Sequence, residues 1–206
     1  YILMNYRVVI IGAGKVAAFF DNPQHNKILT HAHAILTNKY MELVGFYDID
    51  LRRAQQAAEI WKTKAFVSFN DAMCSSDIVF VCVPDQFHYD VLLQIAKYKP
   101  KLVVAEKPLT STIDEARKLK NCFQSKCIPL ILNYTRRFVP EFQILKKECK
   151  QYGKFLKGTG YYGKGILHNG SHMIDVISFL LSEDITVEKV SHNINDFFKD
   201  DKSADI

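Results

Sequence analysis

Arg7-Val8-Val9-Ile10-Ile11-Gly12-Ala13-Gly14-Lys15-Val16-Ala17 is the stretch whose reading decides the fold. Its first five residues form an apolar run of strand length, short enough to be buried on both faces of a parallel sheet. The run breaks into G-x-G-x-x-A. Gly12 permits a tight turn out of the strand. Gly14 has no Cβ and lets a pyrophosphate approach the backbone. Ala17 is small enough for a following helix to lie against the strand. The N–H groups at that helix start are expected to receive phosphate oxygens. Gly12, Ala13, Gly14, Lys15 and Val16 are therefore candidate cofactor-binding residues.

A single glycine turn is a weak signal, and the next strand strengthens it. Met41–Tyr47 ends at Asp48, where a carboxylate can accept from a ribose hydroxyl. Asp48 lies 36 residues after Gly12, against about 20 in the simple motif. The surplus falls in Phe19–Leu29, where Asp21-Asn22-Pro23 reads as an inserted loop. Asp48 favours NAD slightly over NADP. Arg52 and Arg53 just beyond it offer a contact to a 2′-phosphate, but exposed helix charges are the favoured reading.

The rest of the first two thirds alternates in the same way. A helical stretch over Thr30–Asn38 carries His31 and His33 on different faces, read as surface or capping residues. Leu51–Trp61 is a second helix, and Ala65–Ser68 a short strand followed by a helix capped by Asn70 or Asp71. Asp77–Val83 is a buried strand ending at Pro84. The segment Pro84–His88 is expected to face the cofactor, because ligands sit beyond the carboxyl ends of parallel strands. For His88 a cap, a surface position and a site role stand equal. Lys101–Ala105 ends at Glu106-Lys107-Pro108, helix Ile113–Gln124 follows, and Pro129–Leu132 runs into Asn133. The pattern predicts a doubly wound parallel sheet over residues 1–133.

After Pro140 the character changes. Glu141–Gln151 reads as a charged amphipathic helix, Lys154–Tyr162 as a strand, Met173–Leu181 as an apolar helix and Thr186–His192 as a strand. Asn193–Ile206 is polar and acidic. Residues 134–206 are expected to form a partial, truncated α+β domain for substrate binding and oligomerisation.

Composition excludes several classes. The 206 residues are 48% hydrophobic with a net charge of +5, and the lysines are dispersed, so no nucleic-acid surface is expected. No apolar run reaches the length of a membrane span. Cys74, Cys82, Cys122, Cys127 and Cys149 show no paired spacing, which fits reduced thiols in a cytoplasm. His168 and His172 stand four apart near Asp175, but Asn169-Gly170-Ser171 is a poor helix former, and no metal site is expected.

Taken in order, Gly12-Ala13-Gly14, Asp48, Val83-Pro84 with His88, Glu106-Lys107-Pro108, Asn133 to Pro140 and Gly170-x-His172-x-x-Asp175 resemble the Gfo/Idh/MocA family of NAD(P)-dependent oxidoreductases, over nearly the whole chain. The resemblance implies a Rossmann domain followed by an α/β domain on an open antiparallel sheet. It implies hydride transfer at a hydroxyl or carbonyl carbon of a sugar, sugar nucleotide or inositol-like substrate. It assigns Lys107 and His172 to acid/base work and Glu106 to the cofactor region. It puts Tyr134, Arg136, Arg137, His168 and Asp175 near the substrate. Where the family often carries aspartate two residues before the glycine of the last motif, this chain has His168, an imidazole that cannot serve as an anion. Family members continue well beyond this length, so a fragment, a short variant or a sheet incomplete alone is expected. An incomplete sheet needs cover, which predicts a homo-oligomer through the second domain. The alternative is a nicotinamide-nucleotide-binding regulator or scaffold without turnover.

Overall fold

The computed structural model describes residues 5–182, 185–197 and 199–204. The chain divides into two compact units, Tyr1–Asn133 and Tyr134–Ile206.

The first unit is built on six parallel strands: β1 (Tyr6–Ile11), β2 (Met41–Tyr47), β3 (Lys64–Phe66), β4 (Ile78–Val81), β5 (Leu102–Ala105) and β6 (Leu130–Leu132). Their order across the sheet is β3-β2-β1-β4-β5-β6, the doubly wound arrangement of dinucleotide-binding folds. Strand periodicity sends alternate side chains of β1 to opposite faces. Val8 and Ile10 pack with Phe46 against Ile35, Ala54, Ala57 and Trp61. Those side chains come from α1 (His31–Leu36) and α2 (Leu51–Trp61). Val9 and Ile11 pack on the other face with Leu92, Ile95, Leu119 and Phe123, supplied by α4 (His88–Ile95) and α5 (Ile113–Ser125). Both faces of the central strands are thus dry, which is why the sequence reads as unbroken apolar runs there.

The entry edge of the sheet is tied by one carboxylate. Asp77, just before β4, accepts from the Arg7 backbone N–H (3.0 Å) and guanidinium (3.2 Å) and faces Lys101 Nζ at 3.1 Å. Burial pushes its carboxyl up, but the Arg7 and Lys101 contacts outweigh that and hold it down at about 2. A depressed carboxylate contributes stability that is present above its unfolded value, near 3.8, and is lost as pH falls through about 2. Asp77→Asn is expected to lower stability at pH 7 and to remove this part of the acid dependence. Urea unfolding at pH 7, 4 and 2.5 checks it.

Several local expectations are corrected. The helix expected to follow the glycine turn is a single wide turn, Lys15–Phe19. Asp21-Asn22-Pro23 ends it, and the Trp61 indole N–H, donating to the Ala18 carbonyl at 2.9 Å, holds its end. The chain re-enters a helix only at α1, where the Thr30 hydroxyl caps the His33 N–H. The helix α3 (Phe69–Cys74) is capped by Ser68, not by Asn70 or Asp71. Thr112 caps α5.

In the second unit α6 (Pro140–Gln151) and α7 (Ser171–Leu181) pack together, with Lys146 Nζ 4.0 Å from the Phe179 ring centroid. Lys154–Tyr162 is irregular rather than a strand, and Thr186–His192 likewise. Their apolar residues find no ladder partner among the described residues. The only pairing described in this unit is a short antiparallel ribbon, β7 (Asn193–Ile194) with β8 (Ser203–Ala204). Among the described residues no helix is long and apolar enough to cross a membrane.

Candidate active site

The glycine turn is shaped from both sides. Gly12 has φ +92° and its N–H donates to the Tyr47 carbonyl at 2.8 Å. A Cβ on Gly12 would lie 2.7 Å from the Cys82 carbonyl carbon and from the Val83 nitrogen, so the exit of β4 leaves only hydrogen there. At Gly14 the nearest atom to an added Cβ is the Cys82 carbonyl oxygen, 3.9 Å away. The protein's own packing does not require glycine at 14. Lys15 and Val16 are exposed while Ala17 and Ala18 are fully buried against the sheet. This is a cradle that fits a dinucleotide's pyrophosphate. Behind it stands the five-residue turn Lys15–Phe19 rather than a long helix with its dipole.

Asp48 braces that cradle. One carboxylate oxygen accepts from the Ala13 N–H at 2.7 Å and the other from Asp50 N–H at 2.9 Å. Asp50 in turn caps α2 through the Arg52 N–H, and Arg52 and Arg53 point to solvent as exposed helix charges.

Two further strand ends meet at the same carboxyl edge. After β4 the chain passes Cys82-Val83-Pro84, with Pro84 exposed, and a short turn Asp85–Phe87 leads into α4. After β5 come Glu106, Lys107 and Pro108. His88 links the two: its Nδ1 lies 2.7 Å from the Pro108 carbonyl oxygen and its Nε2 2.9 Å from that of Val83. At 1% exposure the ring holds these segments together rather than lining an open surface. The sequence leaves cap, surface and site roles open for this residue; the structure buries it against two loop carbonyls.

Glu106 is half-buried, and its Oε1 receives the Asn133 side-chain amide at 2.7 Å and meets His31 Nε2 at 2.7 Å. Burial pushes this carboxyl up, but the hydrogen bonds from His31 and Asn133 and the charges of His31 and Lys107 hold it below its ordinary value. Burial likewise pushes His31 down, and contacts with Cys82 and Glu106 overcome it, raising the imidazole to about 10. Neither histidine of α1 is the surface or capping residue expected. His33 is 5% exposed, with Nδ1 2.9 Å from the Asp21 carboxylate and its ring beside Trp61. No local pattern signals these pairs: Glu106 lies 75 positions from His31.

The second unit holds the other candidates. Tyr134 precedes a single turn, Thr135–Phe138, that carries Arg136 and Arg137. Arg137 Nε donates to both oxygens of Asp175 at 2.8 Å. That bond, more than the opposing burial, pushes the guanidinium pKa further up. Arg136 donates to the Asn169 side chain at 3.3 Å. The Tyr134 ring stands edge-on to His172, centroids 5.5 Å apart, and burial pushes its phenol up. Tyr134, Arg137, Ser171, Ile174, Asp175 and Ser178 line a cavity of about 310 Å³.

His168 has the anion that its own motif lacks. Asp201, 4% exposed, sets one oxygen 2.8 Å from His168 Nδ1 and accepts the backbone N–H groups of Leu167 (3.0 Å) and His168 (2.9 Å). Burial pushes this carboxyl up, and those bonds bring it below its ordinary value. Sequence reading missed Asp201. An acidic, polar terminus reads as solvated, and the partner lies 33 positions earlier. Among the described residues no group of three histidine, cysteine or acidic side chains is placed to hold a metal ion.

Comparison with known proteins agrees with this geometry. Residues 6–134 match the model of the Gfo/Idh/MocA oxidoreductase family, described as having an NAD-binding Rossmann fold. Glucose-6-phosphate 3-dehydrogenase of Bacillus subtilis is 27% identical over 92% of this chain and 57% of its own length. Inositol 2-dehydrogenase of Corynebacterium glutamicum is 28% identical over 90% and 57%. The chain thus spans just over half the length of these curated relatives. The structure of UDP-N-acetylglucosamine 3-dehydrogenase from Acidithiobacillus ferrooxidans superposes with TM-score 0.69 at 20% identity, covering 93% of this chain and 60% of that one. GenD2 from gentamicin A biosynthesis, solved in complex with NAD, does so with TM-score 0.71 at 16% identity, covering 88% and 55%. These likenesses speak for the fold.

Proposed function

The chain belongs to the Gfo/Idh/MocA oxidoreductase family, and from that premise we propose that it serves an NAD(P)-dependent oxidoreductase acting on a hydroxyl or carbonyl carbon of a sugar, sugar nucleotide or inositol-like substrate. The observation that carries the reading is the meeting, on one carboxyl edge, of the Gly12–Gly14 cradle, Asp48 and the Glu106-Lys107 strand end. The nicotinamide ring, when bound, supplies the hydride donor or acceptor.

The protein's own residues do the rest in this reading. Gly12, Ala13, Gly14, Lys15 and Val16 seat the pyrophosphate. Asp48 accepts from a ribose hydroxyl, which favours NAD, and the loop at Pro84, held by His88, bounds the site. Lys107 stabilises the developing oxyanion and, with His172, accepts or returns the hydroxyl proton. Tyr134, Arg136, Arg137, His168 and Asp175 contact the substrate, with Asp201 supplying the negative charge beside His168. The relatives' names, dehydrogenases of sugars and inositol, support a small carbohydrate as partner. Five free thiols support a reducing, cytoplasmic setting. Exposed Tyr152, Leu156 and Tyr161 in the second unit support self-association through it; a monomer by light scattering at micromolar concentration would remove that part.

The test is a titration with NAD⁺, NADP⁺ and their reduced forms, followed by turnover on a panel of sugars, sugar phosphates, sugar nucleotides and inositols. Lys107→Ala is expected to keep nucleotide affinity and to lose about 10²–10⁴ in kcat. A second reading, a nucleotide-binding regulator or scaffold without turnover, is favoured by His168 in a place the family often fills with aspartate. Nucleotide binding without turnover on the whole panel decides for it. No affinity for any nicotinamide nucleotide ends both.

A further inference from the structure

The motif that names the site contains Glu106, yet the motif does not say what fixes its side chain. Its backbone N–H donates to the Val81 carbonyl at 3.0 Å, so the main chain is laddered to β4. Its carboxylate is tied from two other directions. Asn133, whose own N–H extends the ladder to the Ala105 carbonyl at 2.8 Å, donates its amide to Oε1 at 2.7 Å. His31 meets the same oxygen at 2.7 Å. A glutamate left free explores several rotamers, and ordering it at the moment of binding costs conformational entropy. Here two separate parts of the chain, Asn133 and His31, order it in advance.

We propose that His31 is a positioning residue of the nicotinamide-nucleotide site, where its ring and the Asn133 amide clamp the Glu106 carboxylate beside Lys107. The proposal rests on the nucleotide-binding reading above. It goes beyond the motif residues, because His31 lies outside all of them.

The surroundings of His31 fit a clamp rather than a filler. Phe80, on β4, packs its ring edge-on against the imidazole at 5.3 Å between centroids. The opposite side of α1 is anchored by His33 on the buried Asp21 carboxylate. The charged and titratable groups facing the imidazole are Glu106 and Cys82, and Lys107 stands next to Glu106. His31 is raised to about 10, above its unfolded value near 6.5. Its contribution is therefore complete below about 6.5 and is lost as pH rises towards about 10. In the imidazolium form both ring nitrogens carry protons, which makes the bond to Glu106 charge-assisted.

Two measurements on the full chain test this. The first is ¹⁵N NMR of the histidine side chains from pH 5 to 9. His31 is expected to keep both ring nitrogens protonated across the range, and Glu106→Gln to bring its titration back towards neutrality. The second is NADH titration of the parent chain, His31→Gln, Glu106→Gln and the double variant, with His25→Gln, in an exposed loop, as a control. His31→Gln is expected to weaken binding about tenfold, the scale of one charge-assisted hydrogen bond. The double variant should bind no worse than Glu106→Gln alone. Unchanged binding in His31→Gln, or a His31 that titrates near 6.5, overturns the clamp while leaving nucleotide binding intact. A parent chain that binds no nucleotide ends the nucleotide-binding reading and the positioning role together, whatever the NMR gives.

Discussion

Replacing Gly12 by alanine is expected to cost about 2–6 kcal/mol of folding stability and to abolish nicotinamide-nucleotide binding. The cost has two sources. At φ +92° an L-residue is strained, by about 1–3 kcal/mol. The new methyl would also stand 2.7 Å from the Cys82 carbonyl carbon and the Val83 nitrogen. Both are main-chain atoms at the exit of β4, and neither can rotate away as a side-chain tip would. Relief requires β1 and β4 to part in the middle of the sheet, at a further cost of about 1–3 kcal/mol. Gly14→Ala is the control that separates fold from binding. Its φ of −89° suits any residue, and the nearest atom to the new methyl is 3.9 Å away. Stability should stay within about 1 kcal/mol, while the methyl occupies the surface offered to phosphate. Guanidinium midpoints and NADH titrations of the two variants read both quantities. A Gly14→Ala chain that binds nucleotide like the parent contradicts the cradle.

Asp21→Ala is expected to cost about 3–5 kcal/mol, the loss typical of removing one partner from a buried charged cluster. Its side chain is fully inaccessible. It accepts from the backbone N–H groups of Leu29 (2.6 Å) and Thr30 (3.3 Å) and from the Thr30 hydroxyl (2.5 Å), and it lies 2.9 Å from His33 Nδ1. Deleting it strands these groups away from water and unties the long loop from the start of α1. Burial pushes the Asp21 carboxyl up, but the Thr30, Leu29 and His33 bonds bring it below 3.8. Its stabilisation is therefore present above about pH 4 and lost as pH falls through its folded value. The variant should be weaker at pH 7 and should lose less on going to pH 3. Amide exchange of residues 31–36 should accelerate more than that of β4. Equal protection of α1 in both chains would contradict the anchoring.

Much of this molecule was legible as sequence. The run before Gly12, the alternation through Asn133 and the carboxyl-edge logic of parallel sheets lead to the doubly wound parallel sheet observed, and the structure adds its strand order. The second unit was read less well. The amphipathic helix over Glu141–Gln151 and the apolar one over Met173–Leu181 are legible there, and the structure extends them to Pro140–Gln151 and Ser171–Leu181. The strands expected over Lys154–Tyr162 and Thr186–His192 do not form, because short apolar stretches become strands only where a partner edge exists.

The same division runs through the site. The amino-acid order alone determined where the chain turns, which strands are dry on both faces and which residues stand at strand ends, because those properties depend on neighbours within a few positions. Only the tertiary structure decided which side chains meet. It gave Asp48 to the Ala13 amide, His33 to Asp21, Glu106 to both His31 and Asn133, and Asp201 to His168. Each of these is a choice of polar partner across a distance that periodicity cannot see, and burial forces the choice: a carboxylate or imidazole removed from water must find its counterpart wherever the fold brings one.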